Sequence, residues 1–281
     1  MANILIIGCG DIGSALATQL NDDGHQVTGL RRSPQADTVG ITFIQADIAK
    51  VSEVDAIDLN FEQIIYILSP DASDLSAYEA VFNIGVKNLL NTLEKQQAGP
   101  AITFVSSTRV YGQHQGEWLD ETSPTKPTDE RGQILLAAEQ QFLAFNNATT
   151  IVRFSGIYGR SNYFINQVKA GKEVQKEPPY YTNRVHKEDC VGALAFLINK
   201  KSTGVKLKST YLVSDCDPAS KWNVACYLAD GLSIERPPAL RLDKQADCNK
   251  RLDNRRLIKE GFEFKYKTYK EGFKEALDEQ T

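Results

Sequence analysis

Three glycines at the spacing Gly8-x-Gly10-x-x-Gly13 stand directly behind the apolar run Ile4-Leu5-Ile6-Ile7 and inside the start of an apolar-periodic stretch, Ile12, Ala15, Leu16 and Leu20. A strand that ends in such a turn and passes into a helix presents backbone amides and the positive helix end, which together suit a diphosphate. Gly8 permits the tight turn, Gly10 lets backbone approach the phosphates, and Gly13 lets helix and strand pack closely, with Asp11 and Ile12 completing the turn. A second chemical signal follows where the next strand, from Gln26, ends in Arg31-Arg32. A site for NAD carries an acid there to accept from the ribose 2′-hydroxyl, whereas paired guanidiniums suit a 2′-phosphate through charge-assisted bonds. The two signals predict a phosphorylated nicotinamide dinucleotide, NADP in preference to NAD. The competing readings are a glycine turn without a ligand and two solvated arginines.

Such residues need a sheet to hold them. Short β-rich runs near 3–7, 26–30, 41–45, 63–68, 101–105 and 149–153 alternate with helical patterns at 12–21, 74–95 and 131–146, where Ser73 and Asp74 are candidate N-caps. The alternation predicts an α/β fold: a Rossmann-type doubly wound parallel sheet with a small mixed C-terminal substrate lobe. Past residue 155 the pattern loosens to a helix near 162–170, a break at Pro178-Pro179, a helix over 187–199 and a strand over 210–214. The division expected is 1–159 as the dinucleotide-binding domain, with 184–215 returning to it, and 160–183 with 216–281 as the smaller lobe.

The motifs resemble those of the extended short-chain dehydrogenase/reductase superfamily, in its NAD-dependent epimerase/dehydratase-like branch, over most of the chain. Besides the glycine turn, Gln45-Ala46-Asp47-Ile48 is similar to the family's Asp-hydrophobic pair beside the adenine. Phe104-Val105-Ser106-Ser107-Thr108-Arg109-Val110-Tyr111-Gly112 resembles its fifth-strand serine motif, Arg153 through Gly159 its sixth-strand motif, and Arg184-Val185-His186-Lys187-Glu188-Asp189 its late arginine-aspartate segment. The resemblance implies Ser107 as the residue holding a substrate oxygen, with Thr108 and Tyr111 beside it. It implies cofactor contacts at Asp47, Ile48, Ser69 and Ser106, and substrate-lobe contacts at Tyr158, Arg184 and His186.

One departure outweighs these matches. The family's Tyr-x-x-x-Lys relay falls on Arg131 and Leu135, on one helical face with Glu139. A guanidinium does not give up its proton and leucine carries no charge, so the usual relay is absent. The chain's Tyr266-x-x-x-Lys270 follows no serine-bearing strand and reads as a chance match. The family's helix asparagine is displaced too: Phe82 stands in its place, with Asn83 next to it. Remaining proton carriers are Ser107, Thr108, Tyr111 and Tyr158, with His186 as an outside candidate whose ordinary pKa suits acid-base work. Against this, tyrosines commonly pack with one satisfied hydroxyl, and His186 fits a histidine bonded to backbone where a helix begins.

Composition limits the partners. A net charge of −4 supplies no basic surface of the kind a duplex-reading protein needs, so nucleic acid is not expected. The five cysteines, Cys9, Cys190, Cys216, Cys226 and Cys248, are odd in number and show no Cys-x-x-Cys spacing, which predicts reduced thiols in a cytoplasmic protein and no metal. Cys9, inside the glycine turn, is either a thiol made acidic by the helix end or a small packing residue. The basic run Lys250-Arg251 through Arg255-Arg256 is expected to be a solvated helix face. No apolar run is long enough to span a membrane. By analogy with relatives, the helices 74–95 and 131–146 are the expected surfaces of a homodimer.

Two functions fit this reading. One is an NADP-dependent oxidoreductase or epimerase-like enzyme acting on a sugar nucleotide or another small carbonyl or hydroxyl compound, the substrate class being implied by the resemblance. The other is a non-catalytic NADP(H)-binding module with a redox-sensing or regulatory role, which Arg131 and Leu135 favour.

Overall fold

The computed structural model describes residues 1–34, 36, 38–243 and 249–279. Ile4, Leu5, Ile6 and Ile7 are all fully buried, as a central strand covered on both faces requires. The seven-stranded sheet runs in the order Thr210–Val213, Thr150–Phe154, Ala101–Ser107, Gln63–Tyr66, Asn3–Ile7, Gln26–Arg31, Ile41–Gln45. Asn3–Ile7 pairs in parallel with Gln26–Arg31 on one side and with Gln63–Tyr66 on the other. The order of winding therefore reverses at Asn3–Ile7, and the glycine turn begins at its carboxyl end. In open α/β sheets this is the place where ligands bind.

The helices supply the covering layers. Asp11–Asp22 buries Ile12, Leu16, Ala17 and Leu20. Glu130–Phe145 starts at Asp129, whose carboxylate accepts from the Gly132 amide. Asp74 caps Leu75–Glu79 by accepting from the Ala77 amide, but the helix expected over 74–95 is not uniform: Ala80–Gly85 widens to a π-turn before Val86–Lys95. The fully buried Tyr66 meets the helix at this turn, where its hydroxyl donates to the Val81 carbonyl at 2.6 Å. Gly85 leaves room for that hydroxyl, which would lie 2.8 Å from a Cβ there.

The chain forms two compact units. The first comprises Met1–Val110, Pro127–Arg153 and Val191–Tyr211; the second comprises Tyr111–Lys126, Phe154–Cys190 and Leu212–Thr281. The sequence division kept 111–126, 154–159, 184–190 and 212–215 with the first group, whereas the compact units place all four in the second. Its short parallel strand pairs join Gly156–Tyr158 to Arg184–His186, Val174–Glu177 to Ala239–Arg241, and Glu117–Leu119 to Lys250–Leu252. Helices Tyr163–Lys169, Lys221–Gly231 and Tyr269–Asp278 enclose a core that includes Ile165, Val168, Val224, Leu228, Phe273 and Leu277.

The first half of the basic run near residue 250 is not a solvated helix face. Lys250 is buried in a strand, where Nζ donates to the Tyr111 carbonyl at 2.6 Å. Arg251 lies 5.0 Å from the Trp118 ring and 4.7 Å from that of Tyr181, and its Nε donates to the Gly116 carbonyl. A helix begins only at Arg255. Paired backbone acceptors and aromatic faces, rather than water, receive these cations.

Candidate functional site

The glycine turn of the first unit is built as a cradle. Gly8 adopts φ +112°, its amide donates to the Leu30 carbonyl, and a Cβ on it would lie 2.5 Å from the Ile67 carbonyl oxygen. A Cβ on Gly13 would lie 2.1 Å from the Gly8 carbonyl oxygen. Gly8 and Gly13 are thus fixed by packing, whereas a Cβ on Gly10 would meet nothing within 4 Å. Gly10 caps the helix Asp11–Asp22 without a side-chain hydrogen bond. The turn presents open backbone at the positive helix end, which fits the diphosphate of a dinucleotide. Cys9 is the packing residue of the two readings: it is buried, its Sγ donates to the Ile6 carbonyl at 3.6 Å, and burial pushes its thiol up to about 11.

Around the cradle, Arg31 is half-buried at the end of its strand and Arg32 is exposed. Arg32 Nη2 lies 2.5 Å from Asp71 Oδ1, a residue that carries no local signal in the sequence. Asp47 is half-buried, its Oδ1 accepts from the Ala49 amide, and its own amide donates to Glu53 Oε2. Ile48 is buried and its carbonyl accepts from Asn88 Nδ2 at 3.0 Å. Ser69 is exposed just beyond the strand Gln63–Tyr66.

Ser106 departs from its expected role as a cofactor contact. It is buried and donates to Glu139 Oε1 at 2.5 Å, while Arg153 donates to the same carboxylate through Nε at 3.0 Å and Nη2 at 2.6 Å. Alternation along a strand puts neighbouring side chains on opposite faces, so Ser106 turns to the helix Glu130–Phe145 while Ser107 faces the other way. Ser107 is half-buried, and its Oγ accepts from the Arg109 amide at 3.2 Å. Thr108 is buried in the turn Thr108–Val110.

At the positions of the missing relay, Leu135 is 2% exposed, and Arg131 donates to the Ser73 carbonyl at 2.9 Å with its guanidinium 5.9 Å from the Tyr78 ring centre. Arg109 Nε pairs with Asp129 Oδ1 at 2.9 Å. Burial opposes ionisation of Asp129, but together the Arg109 guanidinium and the Gly132 amide outweigh it and hold the carboxyl below the usual carboxylate range.

In the second unit, Tyr111, Tyr158 and His186 are packed side chains, the alternative that the sequence held open for each. Tyr111 is fully buried and donates its hydroxyl to the Asp120 carbonyl at 3.0 Å, the arrangement of a packed tyrosine with one satisfied hydroxyl. Tyr158 places its hydroxyl where a Cβ on Gly272 would be 1.8 Å away, against the helix Tyr269–Asp278, and burial pushes its phenol far up. His186 has ring centres of Tyr158 and Tyr266 at 5.2 and 4.1 Å, and its Nδ1 accepts from the Glu188 amide at 3.4 Å. Burial lowers its pKa, so it is neutral at physiological pH and serves the start of the helix Lys187–Ser202. Tyr266 is likewise buried, with its hydroxyl 3.2 Å from Glu275 Oε1, as a chance motif match would be.

Arg184 donates to the Thr182 carbonyl at 3.2 Å. Asp215, missed in the sequence, donates its amide to the Arg184 carbonyl; its Oδ2 is buried without a partner, and burial pushes the carboxyl up to about 8. Among the described residues no three His, Cys, Asp or Glu side chains gather as metal ligands, and no helix is long and apolar enough to cross a membrane. Cys248 lies outside the described residues.

Comparison with known proteins adds a family. The model of the NAD dependent epimerase/dehydratase family matches residues 4–213. A curated relative, Protein YeeZ of Escherichia coli K12, is 27% identical over 292 residues, covering 95% of this chain and 97% of its own. A solved structure from Methylobacillus flagellatus, provisionally named an NAD-dependent epimerase/dehydratase, is 34% identical with a TM-score of 0.81, covering 99% of this chain and 98% of its own. The dTDP-glucose 4,6-dehydratase of Bacillus anthracis, solved in complex with NAD, shares the fold at a TM-score of 0.79 and 16% identity, covering 99% and 96% of the two chains.

Proposed function

Because the chain belongs to the NAD dependent epimerase/dehydratase family, we propose that it binds NADP in preference to NAD and works as an oxidoreductase or epimerase-like enzyme. Its substrate in this reading is a sugar nucleotide or another small carbonyl or hydroxyl compound. The observation that carries the cofactor reading is the cradle from Gly8 to Gly13, open at Gly10, with Arg31 and Arg32 following the neighbouring strand where an NAD site would carry an acid. The amides at Gly10 to Gly13 would hold the diphosphate, and Arg31 and Arg32 the 2′-phosphate. When bound, the cofactor supplies hydride transfer. Ser107, at the carboxyl end of its strand, is the side chain best suited to hold a substrate oxygen by donating its hydroxyl proton. The dTDP-glucose dehydratase and its fold support the substrate class.

A second reading, a non-catalytic NADP(H)-binding redox-sensing or regulatory module, draws support from Arg131 being tied to Ser73 and Leu135 being buried, since neither can move a proton. Exposed Leu75, Ile84 and Leu143 on the helical segments expected to pair support a homodimer, and buried free Cys9, Cys190 and Cys226 suit a cytoplasmic location.

One experiment separates the two functions. Purified protein is given NADPH with a panel of carbonyl compounds and nucleotide sugars, and cofactor oxidation and sugar epimerisation are followed. Turnover that Ser107→Ala reduces at least tenfold supports the enzyme; binding without turnover supports the module. For the cofactor, Arg31→Ala with Arg32→Ala is expected to weaken NADPH and spare NADH. Equal losses would refute the 2′-phosphate assignment.

A further inference from the structure

Strand Asn3–Ile7 lies between Gln26–Arg31 and Gln63–Tyr66 in the sheet. Arg32 follows the first of these neighbours and Asp71 lies five residues past the end of the second, so their 2.5 Å ion pair reaches across the carboxyl end of Asn3–Ile7, where the glycine cradle starts. The two side chains are 57% and 64% exposed, and a single oxygen faces a single nitrogen. Such an exchangeable, one-contact pair shifts an equilibrium by no more than about fivefold.

We propose that Asp71 is a specificity-determining residue that opposes NADP by competing with the adenosine 2′-phosphate for Arg32. This rests on the cofactor reading above. A 2′-phosphate carries more charge than a carboxylate and offers more oxygens, so it displaces Asp71 from Arg32 and leaves that carboxylate with unbalanced charge beside it. NAD has a hydroxyl there and leaves the pair intact. Asp71 therefore weakens NADP without touching NAD, and holds the preference set by Arg31 and Arg32 below what it would be without the Arg32–Asp71 pair.

Calorimetric Kd values for NADPH and NADH, measured on the full chain with no substrate, test this in wild type, Asp71→Asn, Arg32→Ala and the double variant. Adenosine 2′,5′-bisphosphate and AMP serve as fragments that differ only in the 2′-phosphate. Asp71→Asn is expected to tighten NADPH and the bisphosphate by about three- to fivefold, the size of an exposed ion pair, and to leave NADH and AMP unchanged. Without Arg32 the gain disappears. An unchanged NADPH to NADH ratio, an equal change for both, or a gain that persists in Arg32→Ala overturns the proposal. If Arg32→Ala weakens NADPH but Asp71→Asn does nothing, the role of Asp71 falls and the NADP reading survives. If wild type prefers NADH yet Asp71→Asn still shifts the ratio, the preference reading falls and the role of Asp71 stands. No binding of any of the four compounds overturns both. Both side chains are exposed, so the variants are expected to melt at the wild-type temperature.

Discussion

Ser106 and Glu139 are joined by a buried hydrogen bond of 2.5 Å, and Arg153 donates to both oxygens of the carboxylate that accepts it. The residue that resembles a cofactor contact is instead part of a closed ionic network beneath the sheet. Removing one member of a buried pair leaves an uncompensated charge, so Glu139→Ala is expected to cost about 3–5 kcal/mol, and Ser106→Ala, which keeps the ion pair, about 1.5 kcal/mol. Urea denaturation checks both, and NADPH affinity of folded Ser106→Ala should equal that of wild type.

The cradle makes a sharper prediction about its glycines. Gly10→Ala meets no atom within 4 Å and should melt like wild type, yet its methyl group occupies the surface where a diphosphate would approach, so dinucleotide affinity falls at least tenfold. Gly13→Ala forces a Cβ onto the Gly8 carbonyl and should lose stability as well as binding. Equal melting temperatures for the two variants would contradict this account.

Restoring the relay should fail. Leu135→Lys puts an ammonium at a site that is 2% exposed, which is expected to destabilise the fold by on the order of 3 kcal/mol, while Arg131→Tyr alone loses one hydrogen bond to Ser73 and costs about 1 kcal/mol. Thermal melts of the two single variants and their combination test the ranking. A stable and newly active double variant would show that the position of Leu135 opens to solvent.

Stability should respond to pH through Lys201. Its Nζ donates to the Ile102 carbonyl and the Thr103 hydroxyl, with no carboxylate partner among the described residues, and burial lowers its pKa from the ordinary 10.5 to about 7. Between these values the unfolded chain binds the proton and the folded chain does not. Its contribution is therefore complete above pH 10.5 and is lost as pH falls toward 7, with a slope of at most about 1.4 kcal/mol per pH unit. Asp215 acts in the opposite sense: its raised carboxyl contributes most in acid and loses that contribution as pH rises to about 8. Denaturation of wild type and Lys201→Met at pH 7, 8 and 9 isolates the first effect, because Asp215 cancels in the difference. A pH-independent difference between the two proteins would show Lys201 to be solvated.

The fold and the cradle were legible in the sequence because both are local. An apolar run such as Ile4 to Ile7 can only be a covered strand, and Gly8, Gly10 and Gly13 are readable from the backbone freedom that the turn demands. The same holds for Asp74 as a cap. Tertiary structure alone decided what the polar side chains on the sheet and around the cradle do. Ser106 and Ser107 are adjacent in sequence, yet strand alternation sends one into an ionic network and leaves the other half-buried on the opposite face. The bond from Tyr66 to Val81, the pair of Arg32 with Asp71, and the contact of Arg131 with Ser73 join segments 15, 39 and 58 positions apart. No spacing rule reaches that far, because a side chain's protonation and partners depend on which distant backbone the folded sheet brings to it.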